Sequence, residues 1–487
     1  MTKDFHPQNT YLIPMIQFYL NSQKIHTAAP PGSALLDFIR QKQGLMGTKL
    51  VCKEGECAAC AVLVGTLEGD RVHYQNMCSC IMPLANAHAK HIVTIEGLNG
   101  AELTPVQQAM VNSYGSQCGF CTPGFVVSLT GALLDAERPG YKQLRKAIDG
   151  NICRCTGYKS IERAVQYISE GLPKEEYGLE TLIRQGYLPA YFQQMAAQLA
   201  GIPHPGWKSL PEGELTATDA LFLGGGTDLM VQAPAKVQAS AVQPVFNSPV
   251  LKEVRVENGH CVIGAAATAS ELEQSGIFQS IFHPQDEFFH LLSSSPIRNM
   301  STVGGNLINA SPIGDFTVLF LGLDSSIRLQ AGEQHRTVKL KDFYLGYKKM
   351  GRRPGEYLAA IEFEIPKRGV CFSFEKVSTR RNLDIASANT AASLAIDADG
   401  HIQTIHLSAG GVGPIPMYLH QTVRFLQGKV LNEQLLKEAL AVMQEEVSPI
   451  SDARGTADYK RQLLRQLMLA HFLKAAPKRV DILKLAI

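Results

Sequence analysis

At 487 residues the chain is longer than one hydrophobic core usually holds; a prior of ~150 residues per domain gives about three domains. Apolar residues make up 45% and charged residues 18%, and 46 basic residues against 44 acidic ones leave a net charge of +2 with no long run of either sign. That balance excludes a disordered chain and argues against nucleic-acid binding or a polybasic membrane surface. No stretch approaches the ~18 consecutive apolar residues of a membrane span, and the opening Met1–Pro7 lacks a signal-peptide core. A soluble, cytoplasmic chain is the expectation.

In chain order, residues 15–95 read as a small β-rich unit. Ile16, Phe18 and Leu20 alternate as in a strand, Asn21-Ser22-Gln23 turns the chain, and Leu35, Leu36, Phe38 and Ile39 fit a short helix. Ala61–Val64 and His91–Ile95 are further strands. Embedded here is Cys52-x4-Cys57-x2-Cys60, followed by Cys78-Ser79-Cys80. C-x4-C-x2-C with a distant fourth cysteine is plant-type [2Fe–2S] spacing, in which one loop wraps three thiolates around a compact cluster. Gly55, Ala58 and Ala59 are small enough to let backbone N–H groups approach the sulfides. A structural zinc site prefers paired C-x2-C knuckles, which an x4 gap fits poorly.

Residues 104–168 read as mostly helical. Gln117-Cys118-Gly119-Phe120-Cys121-Thr122-Pro123-Gly124 and Cys153-Arg154-Cys155-Thr156-Gly157-Tyr158 supply a second set of four thiols. Thr122 and Pro123 look like an N-cap and a first-turn residue, opening an amphipathic run with Phe125, Leu129, Ala132 and Leu133 on one face. Ser160 opens a second run with Ile161, Ala164, Val165 and Ile168. Each thiol pair therefore precedes a helix N-terminus, where unpaired N–H groups and the macrodipole favour negative charge. Two antiparallel helices holding an anionic cluster at one end is the resulting picture. Nine of the 11 cysteines fall between Cys52 and Cys155; Cys261 and Cys371 sit in apolar strand patterns as core residues.

From Gly171 to about Trp207 runs a proline-containing connection with a helix near Tyr191–Ala200. Beyond it the pattern turns α/β. Leu221–Leu223 is a short strand entering Gly224-Gly225-Gly226-Thr227-Asp228-Leu229; Asn258-Gly259 joins two strands in a hairpin; Ser270 to Glu273 reads as a capping box. A second glycine loop, Thr302-Val303-Gly304-Gly305-Asn306, precedes Ala310–Asp315. Two such loops can bracket a pyrophosphate through backbone N–H groups, although neither is G-x-G-x-x-G. From about residue 370 a hairpin (Phe372, Phe374, Val377) leads to Ala386–Ile396, and helices near Glu433–Val447 and Ala457–Ala475 close the pattern.

These motifs, in this order, resemble the xanthine oxidase family of molybdenum hydroxylases over nearly the whole chain. The resemblance implies an α+β multidomain fold: a β-grasp plant-type [2Fe–2S] ferredoxin domain at 12–98, an all-α [2Fe–2S] domain at 99–170, a linker at 171–204, an α/β FAD-binding domain at 205–369, and an α+β C-terminal flavoprotein domain at 370–487. It assigns Cys52, Cys57, Cys60 and Cys80 to one cluster, because Cys80 precedes an apolar-Pro stretch and Cys78 does not. Cys118, Cys121, Cys153 and Cys155 are assigned to the other. FAD contacts are implied at Leu223, Gly225, Gly226, Thr227, Asp228, Leu229, Thr302, Gly304, Gly305, Asn306, Asp315 and Lys376. Gln117 and Cys155 would lie against the pterin of a partner, and Arg380 to Asp384 would form a loop over the flavin near a nicotinamide site.

The family's large molybdopterin domain would need several hundred more residues. The resemblance is therefore to the small iron–sulfur/FAD subunit of a two-subunit enzyme of the xanthine dehydrogenase type. It implies a large molybdopterin-binding partner subunit, a heterodimer that itself pairs, and NAD+ as acceptor. The implied activity is relay of electrons from purine hydroxylation (hypoxanthine and xanthine to urate) through both clusters and FAD. The same relay would serve an aldehyde or other N-heterocycle hydroxylase, and a zinc-stabilised binding protein is the alternative from another class. The chain departs from the family pattern at the extra Cys78, at Ala58 where glycine is usual, and at Leu292 where vertebrate relatives carry an aromatic over the flavin.

Overall fold

The computed structural model describes residues 15–134, 137–174, 176–203, 220–281, 286–380 and 383–481. Met1–Pro7, the 204/205 domain boundary, Trp207 and the middle of the Arg380–Asp384 loop lie outside the described residues. Two compact units emerge, one containing the residues before 204 with 220–244 and Ser295–Ile297, the other Val245–Ser294 with the chain from Arg298 onward.

The first unit begins with a five-stranded sheet in the order 23–27, 16–20, 90–93, 61–68, 71–78. Strand Ile16–Leu20 runs parallel to Lys90–Val93, and the other neighbours are antiparallel. The strand Arg71–Cys78 escapes the alternation pattern, yet Gly69, at φ +63°, makes the tight turn that lays it back on Ala61–Glu68. The strand expected at His91–Ile95 stops at Val93, and Ile95–Leu98 is a 3₁₀ turn.

Four helices, Pro105–Asn112, Thr122–Ala132, Tyr141–Ala147 and Lys159–Gly171, form the helical part. The two that follow thiol pairs, 122–132 and 159–171, each pack on both of the others, in place of the simple antiparallel pair expected. Helix 122–132 is not amphipathic: Gly124 through Gly131 are all buried, because its far side lies on strands 61–68 and 71–78. Its N-cap is Cys121 itself, not Thr122, whose hydroxyl is 2.8 Å from Ser116 Oγ. Likewise Tyr158, at φ +69°, precedes helix 159–171, and Ser160 is buried inside its first turn.

The connection after Gly171 is packed. Met195 and Leu199 share a small core with Tyr19, and the Phe192 ring lies against Tyr74 and His91. Strands Leu221–Leu223 and Val242–Pro244 pair in parallel and complete this unit.

In the second unit a five-stranded sheet runs 334–339, 326–331, 357–364, 260–264, 254–257, and a four-stranded sheet runs 371–378, 386–396, 402–410, 417–418. Asn258 (φ +51°) and Gly259 (φ +78°) turn the expected hairpin between Glu257 and His260. The capping box is Thr268 with Glu271, two residues before the one expected, since Ser270 is buried and donates to Asn299 Oδ1. Helices Asp315–Gly322 and Ala457–Ala475 cover the four-stranded sheet. Cys261 is fully buried in its strand, and Leu292 lies in the core with Phe278 and Phe289, not on an exposed face.

Candidate functional site

The first unit gathers nine thiols into two places. In the loop between Val51 and Ala61, Lys53 (φ +59°), Gly55 (φ +75°) and Ala58 (φ +47°) adopt left-handed backbone, which curls the chain around its own sulfurs. Cys57 Sγ lies 3.3 Å from Cys52 Sγ. Cys80 neighbours both Cys52 and Cys60, so the four sulfurs follow one another in the order Cys57, Cys52, Cys80, Cys60. Hydrogen bonds from Cys57 and Cys80 hold the Cys52 thiol far below its usual range, and that same bond raises Cys57. The Glu54 N–H also donates to Cys52 Sγ at 3.4 Å. Cys60 and Cys80 are buried and Cys52 and Cys57 half-buried.

In the second place Cys155 Sγ lies 3.6 Å from Cys118 Sγ, and Cys121 hydrogen-bonds to Cys153. Burial, then the bond to Cys153, pushes the Cys121 thiol up to about 12. Against its own desolvation, hydrogen bonding from Thr156, 3.2 Å away, lowers the Cys153 thiol. Cys118 and Cys155 are exposed, as are Gln117, Tyr114 and Phe120 around them. Unlike the first set, this one opens to the surface.

Both donor sets fit an iron–sulfur cluster. Each has at least four cysteine sulfurs in one locus (Cys78 is a fifth in the first), each lacks a competing histidine or carboxylate in that thiol network, and no sulfur is tied up in a disulfide. The loops also touch. The Ile152 N–H donates to Cys57 O at 3.2 Å, and Asn151 Nδ2 donates to Ala58 O at 3.4 Å. A Cβ on Gly124 would stand 2.4 Å from that same Ala58 oxygen. The Ala58 peptide is thus held between helix 122–132 and the segment leading into Cys153.

The first glycine loop is built against the chain that follows Cys80. Asn86 Nδ2 donates to Gly224 O at 2.9 Å, and a Cβ on Gly226 (φ +88°) would lie 2.6 Å from Ile81 O. Gly226 O and Asp228 O accept from the helix Leu229–Gln232, so the turn's N–H groups point away from that helix. Leu223, Gly225 and Gly226 are buried, Thr227 and Asp228 half-buried, and Leu229 exposed.

The second glycine loop, in the other unit, is organised differently. The N–H groups of Val303, Gly304, Gly305 and Asn306 donate to Ala267 O, Ala265 O, Thr302 Oγ1 and Thr302 O. A phosphate cradle of these N–H groups, as the sequence suggests, is not present; what the loop offers is side-chain donors. Asn306 Oδ1 accepts from the Thr317 N–H, and Gly304 is small because Ala265 O would stand 2.7 Å from its Cβ. In the same unit Lys376 Nζ donates to Asp315 Oδ2 and to Leu291 O, each at 2.7 Å, while Asn389 Nδ2 donates to Asp315 Oδ1 at 2.6 Å. Sequence reasoning missed Asn389, Asn86 and Asn151. Asn86 and Asn151 each lie within a few residues of a cysteine motif, the one signal that marks them.

Comparison with known domain families matches residues 18–85 to a 2Fe-2S iron-sulfur cluster binding domain and 94–166 to a second [2Fe-2S] binding domain. Residues 209–367 match the FAD binding domain in molybdopterin dehydrogenase, and 373–475 the CO dehydrogenase flavoprotein C-terminal domain. The chain belongs to the molybdenum hydroxylase family. It carries that family's two iron–sulfur domains, FAD-binding domain and C-terminal flavoprotein domain, the multidomain α+β architecture of an oxidoreductase chain. A xanthine dehydrogenase/oxidase of Rattus norvegicus is 27% identical over 95% of this chain, and an aldehyde oxidase 1 of Bos taurus 25% over 94%. The chain spans about two fifths of each, 39% of their length. A solved CO dehydrogenase structure from Oligotropha carboxidovorans shares 26% identity at a TM-score of 0.50, covering 53% of this chain and 91% of that one. Among the described residues no helix is long and apolar enough to cross a membrane.

Proposed function

We propose that this molybdenum hydroxylase chain is the electron-relay subunit of a xanthine dehydrogenase. Its partner would be a large molybdopterin-binding subunit that oxidises a purine, and NAD+ would be the final acceptor. The carrying observation is the pair of four-thiol sets in one unit, one open to the surface and the other buried beside a glycine loop. When bound, [2Fe–2S] clusters pass single electrons and FAD converts them to hydride transfer.

The chain's own residues supply position and insulation. Cys118, Cys121, Cys153 and Cys155 would hold the cluster facing the partner, with exposed Gln117 and Cys155 on the rim. Cys52, Cys57, Cys60 and Cys80 would hold the other, with water excluded from Cys60 and Cys80 by burial. In the first unit the Leu223–Leu229 turn would receive the FAD pyrophosphate on its backbone N–H groups; in the second, Thr302, Asn306, Asp315 and Lys376 would offer FAD their side chains, with Gly304 and Gly305 leaving room beside them. The Lys376–Asp315–Asn389 bonds hold the Asp315 side chain in one orientation, and no side chain is required to move a proton. A dimer of heterodimers in the cytoplasm fits this reading.

The test is to express the chain together with a large molybdopterin-binding subunit and purify the complex. About four irons, about four sulfides and one FAD per chain are expected, with two distinct reduced-cluster paramagnetic signals and xanthine-dependent NAD+ reduction. A colourless, zinc-containing product rejects the relay. A brown complex that oxidises aldehydes or other heterocycles but not xanthine keeps the relay and rejects the substrate.

A further inference from the structure

The buried locus contains one thiol more than a [2Fe–2S] cluster uses. Cys78 ends the strand Arg71–Cys78, opposite Ala61, and is fully buried. Its Sγ lies 3.5 Å from Gly55 O, in the middle of the six-residue ligand loop. Cys60 hydrogen-bonds to both Cys78 and Cys80, so these two sulfurs flank the same partner. The turn between them is tightly fixed. Ser79 Oγ donates to Cys60 O at 2.6 Å, its N–H donates to the same oxygen at 3.3 Å, and the Ile81 N–H donates to Cys78 O. With Ser79 pinned to Cys60, Cys78 and Cys80 reach toward the Cys60 sulfur from either side of one anchor. Of the two, Cys80 alone also neighbours Cys52, which links Cys60 to the Cys52–Cys57 pair and makes Cys80 the resident fourth member.

We propose that Cys78 is a reserve iron ligand of the buried cluster, able to take the place of Cys80. The proposal rests on the iron–sulfur reading above and extends it to a fifth sulfur. In the resident arrangement Cys78 stays a thiol and donates its hydrogen to Gly55 O, bracing the loop. When Cys80 is missing, an iron–Sγ bond to Cys78 forms instead, the thiol proton leaves to solvent during assembly, and no oxidation state changes.

The experiment compares the full chain with Cys80→Ala, Cys80→Ser, Cys78→Ala and Cys78→Ala/Cys80→Ala, reading iron, acid-labile sulfide and the paramagnetic spectrum after dithionite. The parent and Cys78→Ala should hold about four irons with both signals. The single Cys80 variants should also keep about four irons, with the buried cluster's signal shifted in its g values. Only the double variant should fall to about two irons, leaving the helical-domain signal alone. Loss of the buried cluster in both single Cys80 variants overturns the proposal, as does its loss in Cys78→Ala or its survival in the double variant. A parent chain without iron and sulfide overturns the relay reading itself, which keeps the two failures apart.

Discussion

The two cysteine sets of this chain meet the same chemical requirement with different exposures: only the second has fully exposed members. One is wrapped in a β-grasp loop whose curvature comes from left-handed residues, with Cys60 and Cys80 buried; the other hangs between helix starts with Cys118 and Cys155 exposed. In the proposed relay the more exposed set would serve as the outside terminal and the more buried one as the inside terminal. The inside terminal adjoins the glycine loop through Asn86 and Gly226, and the two sets share the Ala58 peptide.

The comparison breaks most completely at the ligands. Cys57→Ala and Cys118→Ala should each lower iron from about four to about two per chain, and each should erase a different paramagnetic signal. If both variants lost the same signal, the division into two sets would be wrong. Next in size is a difference in rate. Treatment with a membrane-impermeant chelator under mild oxidation should bleach the helical-domain cluster at least about tenfold faster than the buried one, since reactivity follows exposure. Equal rates would show that burial does not separate them.

Smaller effects test the connections. Gly226→Ala forces a side chain at φ +88° toward Ile81 O, and should cost more than about 1 kcal/mol and lower FAD content while leaving iron unchanged. Asn151→Asp replaces a donor by an acceptor facing Ala58 O and should cost about 1–3 kcal/mol, read as a lower thermal midpoint and an altered spin interaction between the clusters. Acid should act unevenly. Burial lowers His91 to about 4 and His471 to about 3, so both are neutral in the fold while the unfolded chain takes up protons below about 6.5. The stability that these neutral rings allow is whole above pH 6.5 and is lost as pH falls toward those values. The stretch that carries the four helices, from Pro105 to Gly171, contains no histidine. Scans of melting between pH 7 and 4.5 should therefore show the β-grasp sheet and the second unit loosening before the four helices.

Much of this arrangement was legible in the chain's residues. Spacing brought nine sulfurs into two groups, because thiols around a compact cluster permit few loop lengths; it was the family resemblance, not spacing, that preferred Cys80 to Cys78. Alternation found strand Ile16–Leu20, and helical periodicity found Ala457–Ala475 with its bounds intact. Failures came where tertiary contact overrides local pattern. Helix 122–132 reads as amphipathic, but a sheet covers the side that would face water. Strand Arg71–Cys78 mixes polar and apolar residues because both its faces are only partly covered. The Thr302–Asn306 loop looks like a phosphate cradle, but its N–H groups are spent on Ala265, Ala267 and Thr302, partners remote or unremarkable in sequence.

Ala58 has a consequence of its own. An alanine at φ +47° carries roughly 1–2 kcal/mol of left-handed backbone cost that a glycine would avoid. Its methyl is fully buried, which returns about 0.8 kcal/mol. The trade is nearly even in stability but not in freedom, because glycine would let this peptide swing. Nature's methyl here works as a detent: it sacrifices a little comfort in the resting chain to keep one carbonyl from wandering away from Asn151.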